Sequence, residues 1–240
     1  EILGLEYNLI GKLGKRTKYQ TEDIAQLSLQ VTLAEREGIN RPVVEKLTIP
    51  KTFGLNDDVR LDKVSFTDGF ELTKLPNVEQ KLLLTIVQQT LISSPPDELQ
   101  VEEILPILEL ILNQNNTYSV RVMALLLRSK LESKNKRTIE RCLKQCEDII
   151  GFFDKENPSA MIRIGDMFGT CFIPIWKVRA QYADMLLNFG LVKNSLEIYL
   201  EIQLWEEVIV CYTILKMREK AAETIRKQLE AKPTVKLMCL

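Results

Sequence analysis

The chain has 240 residues, 45% of them hydrophobic, with 32 Lys and Arg against 33 Asp and Glu and no histidine. Its net charge of −1 provides no overall field for nucleic acid or an anionic membrane, so only a local patch could draw either in. No apolar run approaches the roughly 20 residues of a membrane helix, the first residues are too polar for a secretory signal, and without His the usual general base and the Ser-His-Asp and Cys-His sets are excluded.

Glycine is sparse at 10 residues, while helix formers such as Leu, Glu, Lys and Gln abound, so the composition points to an all-α fold. Residues 2–15 read as a helix with Ile2, Leu5, Leu9 and Leu13 on one stripe. Thr21 and Asp23 then start a second, with Ile24, Leu27, Val31 and Ala34 on one face. Residues 1–37 are thus predicted to be a helical pair, with "GKLGKRTKYQ" (11–20) at the corner. Residues 38–76, with three prolines and three glycines, read as a long irregular connection, in which "LNDD" forms a turn with an Asx-type bond.

Residues 77–172 are predicted to form non-repeat helical hairpins. "VEQKLLLTIVQQTLI" is stopped by Pro95 and Pro96; "LQVEEILPILELILNQ" carries Pro106; "YSVRVMALLLRSKLE" and "TIERCLKQCEDIIGFF" pair across the polar corner "SKNKR". A further helix-sized unit, "AMIRIGDMFGTCF", follows, with Gly165 and Gly169 allowing close packing. Beginning at Glu1 and not Met, the chain reads as a piece of a longer protein.

Residues 173–240 carry a repeat. The tetratricopeptide pattern is Trp-x-x-Leu-Gly-x-x-Tyr, then Ala-x-x-x-Phe, then Pro, over about 34 residues. "WEEVIVCY" supplies Trp205, Val208 and Tyr212, with Ile209 where a small residue belongs; Ala221, Ile225 and Pro233 follow at the required offsets. The large residues fill the groove between two helices, and Ala221 lets the backbones approach. A weaker copy runs through Arg179, Tyr182, Ala183, Leu186, Ser195 and Tyr199. The step from Ser195 to Ala221 is only 26 residues, so the intervening second helix, "SLEIYLEIQ", is short. "TVKLMCL" opens a third unit.

Candidate chemistry is thin. A phosphate-binding loop needs Gly-x-x-x-x-Gly-Lys-Ser/Thr; here Leu9 holds the first Gly position and Arg16 follows Lys15. The basic corner Lys12–Lys18 has three readings: a solvated helix end, an RNA patch, or a docking of Lys15 and Arg16 onto acidic groups elsewhere in the scaffold. The solvated end is the plainest of them. Five cysteines, an odd number, sit in apolar helical contexts and read as reduced core thiols. Cys142 and Cys146 are four apart, but no second cluster completes a zinc site. Asn56, Asp57 and Asp58 lack the spacing of a Ca²⁺ loop, and adjacent Glu102 and Glu103 point apart on a helix. Trp176, Trp205 and the methionines read as core.

Three stretches, "GKRTKYQ" with "AQL" downstream, "PKTFGLNDD", and "KVRAQYADMLLNFGLVKNSLEIYLEIQLWEEVIVCY", make the chain resemble a eukaryotic family of tetratricopeptide-repeat proteins. The resemblance implies a helical scaffold whose non-repeat half precedes its repeats, with no catalytic, cofactor or metal residues. It further implies an assembly or chaperone-linked factor of cytoplasm and nucleus, associated with maturation of a spliceosomal ribonucleoprotein. It gives no chemical role to Gly14, Lys15, Arg16, Lys18 or Gln20. A chaperone-tail carboxylate clamp is not assigned, since Tyr182, Ala183, Val208 and Ile209 stand where polar donors belong. The expectation is an α–α superhelix whose concave wall binds a protein or peptide. Arg179, Tyr182, Leu186, Glu206, Ile209 and Val210 form that wall, with Lys15, Arg16 and Lys18 as a second contact. Nucleic acid is disfavoured as a partner and a membrane is not expected; the oligomeric state is open.

Overall fold

The computed structural model describes residues 4–34, 49–67, 73–95 and 97–231. The chain divides into two compact units, Glu1–Phe172 and Ile173–Leu240.

The first unit opens on a sheet, not on a helical pair. Strands β1 (Leu5–Thr17), β2 (Ile24–Leu33) and β3 (Arg60–Phe66) pair antiparallel in the order β2-β1-β3. Leu5 faces Leu33, and the register runs on to Gly14 opposite Ile24. The stripe Leu5, Leu9, Leu13 has a spacing of four, which fits one face of a strand as well as one face of a helix. In β2 the decisive pattern is the alternation Leu27, Leu29, Val31, Leu33 with polar residues between. Leu29 and Val31 are buried, whereas Ile24, the start of the expected helical stripe, is 52% exposed. The all-α expectation is therefore corrected to a mostly helical fold with a small sheet.

Gly14 has a steric reason to be glycine. A Cβ there would lie 2.8 Å from the Ser65 carbonyl oxygen, so a side chain would push β3 off β1. The ladder is irregular just beyond, between Lys15 and Thr17.

The described part of the expected irregular connection is ordered on hydrogen bonds. Arg121 donates to the Pro50 carbonyl and to Thr52, and Gln145 donates to the Lys51 carbonyl while accepting from the Phe53 N–H. "LNDD" forms its Asx turn: Asp57 Oδ1 accepts from the Val59 and Arg60 N–H groups, both at 2.7 Å. Residues 38–48 and 68–72 of that connection lie outside the described residues.

Helices α1 (Asn77–Ser93), α2 (Glu98–Leu112), α3 (Tyr118–Glu132) and α4 (Ile139–Phe153) coincide closely with the segments read as helical. Each packs on the next, and α2 also packs on β2. Their core includes Leu83 and Leu84, Ile104 and Leu108, Leu125 and Leu126, and Ile149, all 1% exposed or less. Asp97 caps α2, accepting from the Gln100 N–H at 2.7 Å. Pro106 lies inside α2. The unit expected over 160–172 is helical only over α5 (Ala160–Ile164). Asp166 instead accepts from Asn77 and from Lys81, both at 2.9 Å. Met161 and Phe168 are 75% and 91% exposed, so the core reading fails for that methionine. It fails too for Trp176, at 60%.

Among the described residues, the second unit holds two helical hairpins, α6 (Ile175–Phe189) with α7 (Val192–Glu201) and α8 (Trp205–Ile214) with α9 (Arg218–Ala231). Successive helices pack on one another. Gly190 ends α6 with φ +94°, a left-handed cap that glycine adopts without strain; the Leu191 N–H then reaches back to the Leu186 carbonyl at 2.9 Å. Pro233 and the third unit begun by "TVKLMCL" lie outside the described residues.

Candidate functional site

Two regions bear on binding. In the second unit the repeat positions do what their residue sizes require. Ala183 and Ser195 are both fully buried, and the Ser195 hydroxyl donates to the Ala183 carbonyl at 2.8 Å. Only two small residues let the α6 and α7 backbones approach so closely. Around them pack Tyr199, Val208 and Cys211. In the second hairpin Ile209 packs on Ala221, with Tyr212, Ile225 and Leu229 beside them.

This packing sorts the expected wall residues. Leu186 and Ile209 are 5% and 1% exposed and belong to the packing between helices, not to a surface. The period that places them on the repeat stripe is the same period that buries them. Arg179, Tyr182, Glu206 and Val210 are half-buried at the surface, and Arg179 pairs with Glu201 on α7.

The basic corner lies in the first unit and ends a strand, not a helix. Three of its cations, Lys15, Arg16 and Lys18, have partners. Arg16 grips Glu102 on α2 with both terminal nitrogens, one at 2.8 Å, and its Nε reaches Gln26. Lys15 lies 3.7 Å from Asp23, and Lys18 donates to the Asp57 carbonyl at 2.8 Å. Gln20 closes the corner: its side chain accepts from the Arg16 N–H and donates to the Gly14 and Glu22 carbonyls. Of the three sequence readings, docking onto an acidic group elsewhere is the one these contacts match.

Between this corner and the helices runs a groove of about 1070 Å³. It is lined by Arg16, Thr17 and Arg60 of the sheet with the adjoining Val59, by Asp97, Val101, Glu102 and Leu105 at α2, and by Leu131, Glu132 and residues 134–138 at the α3–α4 corner. The hydrogen bond from Arg16 holds Glu102 below the usual carboxylate range, against the effect of burial. Behind it a cavity of about 60 Å³ reaches Arg141, whose guanidinium bridges Asp62 and Glu132, both at 2.7 Å. That space is enough for a few waters. Burial, with Glu132 nearby, pushes Glu109 up. Burial likewise pushes the Cys142 and Cys146 thiols up to about 12, so neither is a thiolate at neutral pH.

Sequence reasoning missed most of the groove. Lys134, Lys136 and Arg137 stood in view in "SKNKR", but only as a polar corner, and Arg60 was hidden in the irregular connection. The signal that could have found them was the clustering of three cations within four residues at a tight inter-helix corner.

Over nearly its whole length the chain is similar to curated tetratricopeptide proteins. It is 28% identical over 249 residues to the tetratricopeptide repeat protein 27 homolog of Dictyostelium discoideum, covering all of this chain and 29% of that protein. It is 28% identical to a TPR repeat-containing protein of Schizosaccharomyces pombe, covering 97% of this chain and 35% of the relative. It is also 28% identical to a tetratricopeptide repeat-containing protein of Caenorhabditis elegans, covering 95% and 30%. The chain thus spans about a third of the length of these relatives. No protein-family model and no solved structure matches it.

Proposed function

We infer that this chain, a member of the tetratricopeptide-repeat family, serves as a protein–protein interaction scaffold with no catalytic step of its own. The observation that carries this reading is the pair of stacked hairpins α6–α9, held by Ala183, Ser195 and Ala221 at the small repeat positions. Such packing fixes backbone geometry with side chains that cannot bind anything else. It leaves the half-exposed faces around Arg179, Tyr182, Glu206 and Val210 as the surface for a protein or peptide. The absence of histidine from the sequence and the protonated thiols of Cys142 and Cys146 support the non-catalytic part.

The narrower expectation is a cytoplasmic or nuclear assembly factor or co-chaperone acting in maturation of a spliceosomal ribonucleoprotein. It rests on the family resemblance of the sequence. Direct RNA binding through Lys12–Lys18 loses ground, because Lys15, Arg16 and Lys18 are held by Asp23, Glu102 and the Asp57 carbonyl.

The test places a photo-crosslinking residue at position 210 of the full chain in cell extract. Capture of a discrete protein, abolished by Arg179→Glu with unchanged helicity, is expected. Capture of RNA alone, or of no macromolecule, would overturn the reading.

A further inference from the structure

Resting on the scaffold reading but placed on a different surface, we propose that the groove between the sheet and helices α2–α4 binds an acidic peptide segment carrying apolar side chains.

Charge points the first way. Arg60, Lys134, Lys136 and Arg137 line the groove, the last three of them exposed. Lys134 and Lys136 are exposed and form no ion pair among the described residues. Arg60 lies near enough to Glu102 to lower its pKa without bonding to it. The groove's own carboxylates are already occupied: Glu102 by Arg16, Glu132 by Arg141, and Asp97 by the first turn of α2. What is left to meet a ligand is positive. Arg137 pairs with Asp57, whose carboxyl is held at about 2 by the Arg60 and Val59 N–H groups, so this cation stays anchored at the rim.

The floor points the second way. Val59, Val101, Leu105 and Leu131 are at least partly open to the groove. Isolated phosphate or a polyanion leaves such a surface wet, whereas a peptide with leucine-like side chains between its carboxylates covers it. Size agrees: about 1070 Å³ matches the upper end of ordinary ligand clefts, roughly 300–1,000 Å³, and holds several residues of extended chain.

The same lining disfavours single-stranded nucleic acid. Among the described residues, no aromatic side chain lines the groove to stack a base. Asp97, Glu102 and Glu132 line it as well, and a continuous phosphate backbone would pass close to them, whereas a peptide can space its charges between them.

The experiment measures fluorescence anisotropy of a short labelled peptide alternating Glu with Leu against the full chain. The same peptide with Lys for Glu and labelled oligouridine serve as comparisons. The acidic peptide is expected to bind and the basic one not to. Lys134→Glu/Lys136→Glu, on an exposed corner, is expected to weaken binding by about tenfold or more, and Lys134→Ala/Lys136→Ala by less. Circular dichroism of both variants is the check that the fold is kept. Equal binding by wild type and the charge-reversed variant, or tighter binding of oligouridine than of peptide, would overturn the proposal. Loss of peptide binding in a protein that still crosslinks through position 210 overturns the groove and leaves the scaffold standing. Peptide binding by a protein that crosslinks nothing there supports the groove and removes the hairpin surface.

Discussion

The sheet with its pinned connection and the α6–α9 hairpins are held together by different forces. Residues 50–53 lie against α3 and α4 through long-range polar contacts, Arg121 to Pro50 and Thr52 and Gln145 to Lys51 and Phe53, while Asp62 of β3 accepts from the nearby Leu55 N–H. The hairpins rest on apolar and small-residue contacts, with Ala183, Tyr199, Val208 and Cys211 at 0% exposure. A repeat built from size complementarity tolerates variety at its surface, because its cohesion never depends on the residues it displays. A segment built from side-chain-to-backbone bonds has its polar residues committed, and what it offers a partner is only what those bonds leave over. Arg16, committed to Glu102, is not such a remainder, whereas Lys134 and Lys136 on the facing α3–α4 corner are exposed.

The largest expected effect lies in the hairpins. Ala183→Leu inserts side-chain volume where Ser195 bonds the Ala183 carbonyl, and is expected to destabilise α6–α7 by about 1–3 kcal/mol or more. Thermal melts at low and high salt should move by the same amount, because the contact is steric. A strong salt dependence of that loss would break the contrast. In the pinned connection, Arg121→Ala strands the carbonyls of Pro50 and Leu112 and is expected to cost about 1–3 kcal/mol. Hydrogen exchange should quicken over residues 50–53 and stay unchanged in α6–α9.

The smallest effects sharpen the comparison along α2. Glu102→Gln breaks the Arg16 pair, which is partly exposed and screened, and is expected to cost under about 1 kcal/mol. Because the folded state lowers the Glu102 pKa, its contribution is present above the ordinary value of about 4.3 and fades as pH falls below it. Glu109 runs the other way. Burial and Glu132 raise its pKa, so between the ordinary and the raised value the folded state holds the extra proton, and stability falls as pH rises. Glu109→Gln is therefore expected to raise Tm at neutral pH and to flatten that fall. Equal Tm shifts for the two variants would contradict the assignment.

The unequal legibility of the two regions follows from the same physics. Helices α1 to α4 announce themselves through apolar stripes and stops such as Pro95 and Pro96, and the repeat through residue size at Ala183, Ser195 and Ala221. The sheet did not, because Leu5, Leu9 and Leu13 satisfy both periods, and a strand's partner is set by pairing distant in sequence. Gly14 is explained only once Ser65 stands opposite it. The wall residues Leu186 and Ile209 show a related limit: the repeat stripe marks which residues recur, but burial decides which of them can touch a partner. At the corner, Arg16 could be expected to dock on an acidic group, but no local pattern picks out Glu102, 86 residues away.

The most direct test is hydrogen exchange of the full chain, free and with the protein captured at position 210. Slowed exchange on α6 and α8 in the complex is expected. Unchanged exchange there, with protection appearing instead at residues 12–20 on addition of RNA, would contradict a scaffold that works through its hairpins.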